Sequence, residues 1–345
     1  MSCLVIAEAG VNHNGSLDLA LQLVEIAARC GADAVKFQTF SAERLVRPGA
    51  RTAQYQASAT GESDQFAMLK RLELPEADYR RIAARCVEVG IEFMSTPFDE
   101  EAATFLLDLG MRRIKVPSGE ITNLPFLEFL ADTDRPLIVS TGMATLEEIA
   151  TAVDAIARRR ALRGLSAALA ERVTILHCTS NYPAADEDVN LRAMGTIAAA
   201  TKLPVGYSDH TRGIAVATAA VALGASVIEK HFTVDKSLPG PDHKASVSPE
   251  ELAALVAQVR TVEAALGSAE KRPTDSELPI RALVRRSVTT NRALRAGQAI
   301  AAADVCLLRP GDGIPPAELG AVIGARARRD LDAGVTLSWD DLDRA

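Results

Sequence analysis

Aromatic residues are scarce in this chain, at 4% of 345 residues, and its five cysteines (Cys3, Cys30, Cys86, Cys178, Cys306) are scattered and odd in number. None forms a C-x-x-C pair, which argues against a disulfide framework and against a cysteine zinc site; a reducing cytoplasm is the expected compartment. Basic excess is lacking too: Lys+Arg 38 against Asp+Glu 45 gives 38 − 45 = −7, so no basic field is available to hold a nucleic acid backbone. The longest apolar stretch, Ile214–Ile228, is interrupted by Thr218 and Gly224 and is too short to span a membrane. The N-terminus, MSCLVIAEAG, has no basic segment and meets Glu8 before an apolar run reaches signal-peptide length. No Walker loop is present, which turns attention from nucleotides to smaller anions.

What the chain does have is 48% hydrophobic residues, enough for one large core and a smaller second one. Up to about Gly267, short β-branched runs alternate with longer segments of helical period. The strand candidates are Leu4–Ala7, Ala34–Gln38, Glu92–Ser95, Arg113–Val116, Leu137–Ser140, Val173–His177, Val205–Tyr207 and Val227–His231. Helix candidates follow them, among them Leu17–Arg29, Glu76–Val89, Leu146–Arg159, Ile214–Leu223 and Pro249–Leu266. Eight such units point to an α/β fold of the closed (β/α)8 TIM-barrel type. The insert Ala42–Leu74 lacks a clear period and is expected as a loop over the barrel mouth. Residues 268–285 are polar and Pro-containing and read as a linker between a barrel at 1–267 and a small domain at 286–345. That small domain holds a strand at Ser287–Thr290, turn signals at Arg295–Gly297 and Asp312–Gly313, and a helix candidate near Glu318–Ile323.

Reacting groups in such barrels sit at the C-terminal ends of the strands. Here those ends carry Glu8; Lys36 and Gln38; Ser95 and Thr96; Lys115 with Ser118 and Glu120; Ser140 and Thr141; His177 and Ser180; Ser208, Asp209 and His210; and Lys230 with His231. His210 and His231 end adjacent strands, so their imidazoles can meet above the barrel and hold a borderline-hard ion such as Mn²⁺ or Mg²⁺. A single such histidine is more often a hydrogen-bonded structural residue; the pairing is what points to a metal. Lys36, Lys115, Ser118, Ser140, Ser180 and Ser208 converge with the Ser140-Thr141-Gly142 turn before a helix, which makes an anion pocket for a small phosphorylated metabolite. Some of these serines are expected to be helix caps instead. Two rival readings remain open: a Schiff-base aldolase using Lys36, Lys115 or Lys230, and an inactive barrel whose tail domain binds a ligand or partner.

The motifs EAGVNHNG (Glu8–Gly15), VKFQTF (Val35–Phe40), STPFD (Ser95–Asp99), KVPSGE (Lys115–Glu120), STGM (Ser140–Met143), HCTSNYP (His177–Pro183), SDHT (Ser208–Thr211), EKHFT (Glu229–Thr233) and GPDHKAS (Gly240–Ser246) resemble the sialic acid synthase family. RPGDGIPP (Arg309–Pro316) resembles that family's C-terminal antifreeze-like, or SAF, domain, so the resemblance covers nearly the whole chain.

The resemblance implies a phosphoenolpyruvate-dependent C–C bond-forming transferase that condenses phosphoenolpyruvate with an N-acetylated hexosamine, releasing phosphate and making a nine-carbon 2-keto acid. It implies that His210 and His231 hold Mn²⁺ or Mg²⁺, that Lys36, Lys115, Ser118, Ser140 and Ser208 cradle phosphoenolpyruvate, and that Gln38, Glu120, Tyr182 and Asp242 hold the sugar. Glu8 would handle the proton of the attacking water. One departure is Ser180, where many members place Asn after the Cys-Thr pair; the Asn here is Asn181, so the phosphate contact at that position differs. The family also implies a domain-swapped homodimer in which Arg309 reaches the sugar of the other subunit. KFQTF followed by AERLV, and GPDH followed by KAS, look closer to the neuraminate and legionaminate types than to the pseudaminate type. N-acetylneuraminate, made from N-acetylmannosamine, is the expected product, with N,N'-diacetyllegionaminate the alternative.

Overall fold

The computed structural model describes residues 2–343 and divides into two compact units, one ending at Gly267 and one beginning at Ser268. In the first, eight strands run parallel: β1 (Leu4–Gly10), β2 (Ala34–Thr39), β3 (Glu92–Pro97), β4 (Ile114–Val116), β5 (Leu137–Ser140), β6 (Val173–Cys178), β7 (Val205–Asp209) and β8 (Val227–His231). Their order is β3-β2-β1-β8-β7-β6-β5-β4. The two end strands, β3 and β4, lie side by side without a ladder, so the sheet is a nearly closed barrel of the TIM type, as expected.

Helices cover the outside, and their ends follow the local chemistry. Thr145 and Ser248 each form a capping box, with Glu148 and Glu251, at the starts of Leu146–Leu162 and Pro249–Leu266. Glu76–Val89 buries Tyr79, Ile82 and Cys86 at helical spacing and stops at Gly90, whose φ of 76° is left-handed. No helix among the described residues is long and apolar enough to cross a membrane.

Two apolar layers hold the barrel. Outward residues such as Val5, Val35, Phe37, Val116 and Ile175 pack beneath the helices, while Ile6, Ala34, Met94, Ile138, Leu176 and Val227 fill the interior. Side chains on a strand alternate faces, so two places further along those strands Glu8, Lys36, Thr96, Ser140, Cys178 and Glu229 also point inward, stacked directly on the apolar plug. At Gly206 on β7 the interior is too crowded for any side chain: a Cβ would sit 2.5 Å from the Val227 carbonyl oxygen and 2.6 Å from Leu176 Cδ2.

The insert after β2 is not a loop. It contains three short helices, Ala42–Leu45, Gln54–Thr60 and Gln65–Leu72, the last capped by Asp64. Eight residues or fewer span about two turns, too few for a helical period to register; only Met68 and Leu72 signal it, and these pack on Val11 and Phe40.

In the second unit, Ser287–Thr290 pairs antiparallel with Val305–Leu308, and Arg326–Ala327 with Leu342–Asp343, around a core that includes Val288, Ile300, Ile314, Leu331 and Leu337. The helix expected near Glu318–Ile323 is a short one, Leu319–Val322. The segment read as a linker holds a further helix, Glu277–Val284. Its proline, Pro279, falls in the first turn, where the missing N–H has no intrahelical partner to lose.

Candidate active site

The stacked polar layer forms the floor of a cavity at the C-terminal ends of the strands. Register puts Glu8 beside both Lys36 and His231, and Ser208 beside Glu229. Lys36 Nζ lies 2.6 Å from Glu8 and 3.6 Å from Glu229, and donates to Thr96 Oγ1 at 2.9 Å. Lys115 Nζ lies 3.4 Å from Glu229, and Ser208 donates to the same carboxylate at 2.8 Å. Two lysines and two glutamates are therefore buried together in one contact network.

Their environments push the two carboxylates apart. Burial lifts Glu8 above the usual carboxylate range despite the Lys36 ammonium. Burial acts on Glu229 as well, but Lys115 and Lys36 more than offset it and hold Glu229 low. Burial lowers Lys115, whereas Lys36, equally buried, is held high by Glu229 and Glu8. Glu229 is thus the standing anion and Glu8 the carboxyl able to take or give a proton near neutral pH.

On the β4–β6 side, the hydroxyls of Ser118, Ser140 and Ser180 line the cavity. The Gly142 N–H donates to Ser118 Oγ at 2.9 Å, and Ser140 Oγ is buried without a partner. A Cβ on Gly142 would lie 2.1 Å from Ser180 Oγ and 2.9 Å from Ser118 Oγ, so only glycine allows the two hydroxyls to close on this backbone. Ser180 faces the cavity, while Asn181 is exposed and its Oδ1 accepts from the Tyr182 N–H.

Over β7 and β8 the His210 and His231 ring centroids stand 5.7 Å apart, with the Tyr182 ring 4.0 Å from His210, tilted by 31°, and edge-on to His231. His210 Nδ1 donates to the Thr179 carbonyl at 2.6 Å, which leaves Nε2 with its lone pair. Burial lowers His210 to about 4 and holds His231 well below the usual histidine range, so both imidazoles are neutral. His231 Nδ1 is buried without a hydrogen-bond partner, 3.8 Å from Asp242. No group of three or more His, Cys, Asp or Glu is gathered for a metal among the described residues. Two neutral imidazoles, one of them with an unpartnered nitrogen, and the nearby Asp242 nonetheless suit a divalent ion that takes its remaining ligands from water or substrate.

Asp242, raised to about 6 by burial, sits on a loop pinned from behind. Ser246 Oγ donates to the Asp242 carbonyl at 2.7 Å and accepts from Asn12, while His243 meets Thr233 and Asn14. The residues of the NHNG motif (Asn12–Gly15) thereby position a wall of the site.

Of the residues expected at the site, Glu8, Lys36, Gln38, Thr96, Lys115, Ser118, Ser140, Ser180, Tyr182, Ser208, His210, His231 and Asp242 line this cavity. Glu120 does not: two residues beyond Ser118 on a tight three-residue turn it faces another way, accepting from Asn123 Nδ2 at 2.7 Å. Arg309 is exposed on the second unit. Lys230 and His177 fall on outward positions. Lys230 is fully buried against Asp209 at 2.9 Å, and His177 bonds the Val189 carbonyl, so Lys230 cannot serve as a mouth nucleophile. Glu229 is a site residue that the strand ends do not single out, yet the alternation through Glu229, Lys230 and His231 signals it.

Comparison with known proteins follows the same lines. Residues 23–271 match the NeuB family and residues 285–343 the SAF domain. The N,N'-diacetyllegionaminic acid synthase of Legionella pneumophila is 54% identical over 99% of this chain and 95% of its own length. That of Campylobacter jejuni is 44% identical over 95% of this chain and 96% of its own length. The crystal structure of N-acetylneuraminic acid (sialic acid) synthetase from Leptospira borgpetersenii, in complex with citrate, matches with a TM-score of 0.71 and 34% identity, over 81% of this chain and 90% of that one.

Proposed function

We propose, for a chain that belongs to the NeuB family and ends in a SAF domain, the condensation of phosphoenolpyruvate with 2,4-diacetamido-2,4,6-trideoxymannose to give N,N'-diacetyllegionaminate and phosphate. This replaces the expectation of N-acetylneuraminate as product. Relatives at 54% and 44% identity are named for the legionaminic acid, against 34% for the sialic acid synthetase. The enzyme is in either case a transferase that forms a C–C bond from phosphoenolpyruvate.

What supports this chemistry above all is the division of labour across one cavity: an anion cradle over β4–β6, two neutral imidazoles over β7–β8, and a proton-carrying carboxyl between them. The cradle of Lys115, Ser118, Ser140 and Gly142 suits the phosphate and carboxylate of phosphoenolpyruvate. His210 and His231 would hold Mn²⁺ or Mg²⁺, which when bound supplies a Lewis acid toward the aldehyde of the open-chain sugar. Phosphoenolpyruvate C3 forms the new bond to the aldehyde carbon as the enol C2=C3 and the aldehyde C=O π bonds break, and the aldehyde oxygen takes the proton that Glu8 carries, which leaves Glu8 ionised for the next step. Glu8 takes a proton from the water that adds at C2, and phosphate leaves with its bridging oxygen. Gln38 Nε2, which donates to Glu8 Oε1 at 3.2 Å, orients that carboxyl.

The same lysines support an imine aldolase only if one of them is neutral and unpaired; Lys36 and Lys115 both face Glu229 instead. The test is phosphate release with a panel of sugars. The 2,4-diacetamido-trideoxy sugar is expected to have the highest kcat/KM, and N-acetylmannosamine or its 6-phosphate turning over faster would overturn the assignment.

A further inference from the structure

The cavity is chemically lopsided. Besides Glu8, Lys36, Gln38 and Thr96, the side over β1–β3 is walled by Val11, which follows β1, by Phe98, which follows β3, and by Met68, Leu69 and Leu72 from the helical insert after β2, whereas over β4–β6 the apolar contribution falls to Pro117 and Met143 beside the serines. Of the insert's residues that line the cavity, only Gln56 is polar among those described. Both cations of the cavity, Lys36 and Lys115, lie in the floor and face buried carboxylates. The insert's own Lys70 and Arg71 are paired with Glu43, Glu73 and Glu62.

We infer that this apolar wall, with Leu69 at its edge, selects sugars whose sixth carbon is a methyl group over those carrying a hydroxyl or phosphate there. The inference rests on the proposed condensation. If the enolpyruvate occupies the β4–β6 cradle and the aldehyde carbon lies at the two histidines, the sugar chain must run away from the new bond, toward the β1–β3 side. Its far end then meets the wall. A methyl group gains from leaving water there. A phosphate would be stripped of water with no cation to face, and a hydroxyl would find only Gln56, among the insert's described lining residues, to replace its hydrogen bonds with water. An apolar pocket discriminates against an added hydroxyl by no more than about 100-fold, so a 10- to 100-fold preference is expected, and exclusion of the phosphate.

The test compares 2,4-diacetamido-2,4,6-trideoxymannose with its 6-hydroxylated counterpart, a pair differing only at that carbon. Wild-type full-length enzyme should favour the 6-deoxy sugar 10- to 100-fold in kcat/KM. Leu69→Gln should cut this ratio to within about threefold, with the KM for phosphoenolpyruvate unchanged, while Leu69→Met keeps it. Phe98→Tyr, which adds a hydroxyl to the same wall, should also lower the ratio and provides the second variant should Leu69→Gln fail to fold. Equal use of both sugars by the wild type, or an unchanged ratio in the polar variants, overturns the wall as selector and leaves the proposed condensation standing. Turnover of N-acetylmannosamine with neither diacetamido sugar accepted would instead overturn the proposed condensation itself.

Discussion

Replacing Glu229 with glutamine removes the charge that stands between two buried ammonium groups while keeping side-chain volume and a group for Ser208 to hydrogen-bond. Glu229 lies 3.6 Å from Lys36 and 3.4 Å from Lys115, and all three side chains are no more than 5% exposed, so solvent screens the contacts little. At an effective dielectric near 20 each contact is worth about 5 kcal/mol before dehydration is counted. After that offset, loss of one partner from such a buried network destabilises by about 3–5 kcal/mol. Lys36 keeps Glu8, so the stranded charge is mainly that of Lys115. Denaturant unfolding of Glu229→Gln should therefore show a loss of that size. Saturating phosphoenolpyruvate, an anion that restores the charge balance beside Lys115, should recover more stability in the variant than in the wild type. A variant within about 0.5 kcal/mol of wild type, a margin typical of an inconsequential surface change, and with equal stabilisation by phosphoenolpyruvate, would refute the reasoning that Glu229 neutralises the floor.

Three other outcomes follow from the geometry. Gly142→Ala should raise the KM for phosphoenolpyruvate at least tenfold and leave the sugar KM within twofold, because its Cβ would collide with the Ser118 and Ser180 hydroxyls; steady-state kinetics in each substrate reads both. Glu8→Gln should lower kcat by about 10²–10⁴ with little change in sugar affinity, whereas weakened sugar binding at near-normal kcat would reduce Glu8 to a binding residue. Treatment with EDTA should abolish turnover, restored by Mn²⁺ or Mg²⁺, while borohydride plus substrate leaves the enzyme active; the opposite pattern would revive the imine route.

The barrel is legible in the sequence because short β-branched runs buried on both faces, Leu137–Val139 and Val173–Leu176 among them, stand out against Ala-, Glu- and Arg-rich segments such as Leu146–Leu162. Strand ends then locate the mouth. What strand ends alone do not convey is which side of the sheet a residue faces, and this is why they place Lys230 and His177 at the mouth and pass over Glu229. Counting in twos from Ile6, Met94 or Val227 separates them, since the interior plug and the reactive layer share one parity. Glu120 departs from expectation for a different reason: a three-residue turn after β4 rotates it away from Ser118, and no strand period extends into a turn. The helices at Gln65–Leu72 and Glu277–Val284 are hidden because eight residues make only about two turns, too few for an apolar period to register, and because Pro279 reads as a break in the second.

In the proposed reaction the reacting centre is carbon: C3 of phosphoenolpyruvate bonds the sugar and water enters at C2, with Glu8 as its base. Turnover in H₂¹⁸O with mass analysis of both products tests this most directly. Unlabelled phosphate and an ¹⁸O-labelled C2 oxygen in the keto acid, measured before exchange with solvent, are the predicted result. Label in the phosphate would mean that water attacks phosphorus, and would contradict the roles of Glu8 as base at C2 and of Ser118, Ser140 and Gly142 as a cradle for an intact phosphate.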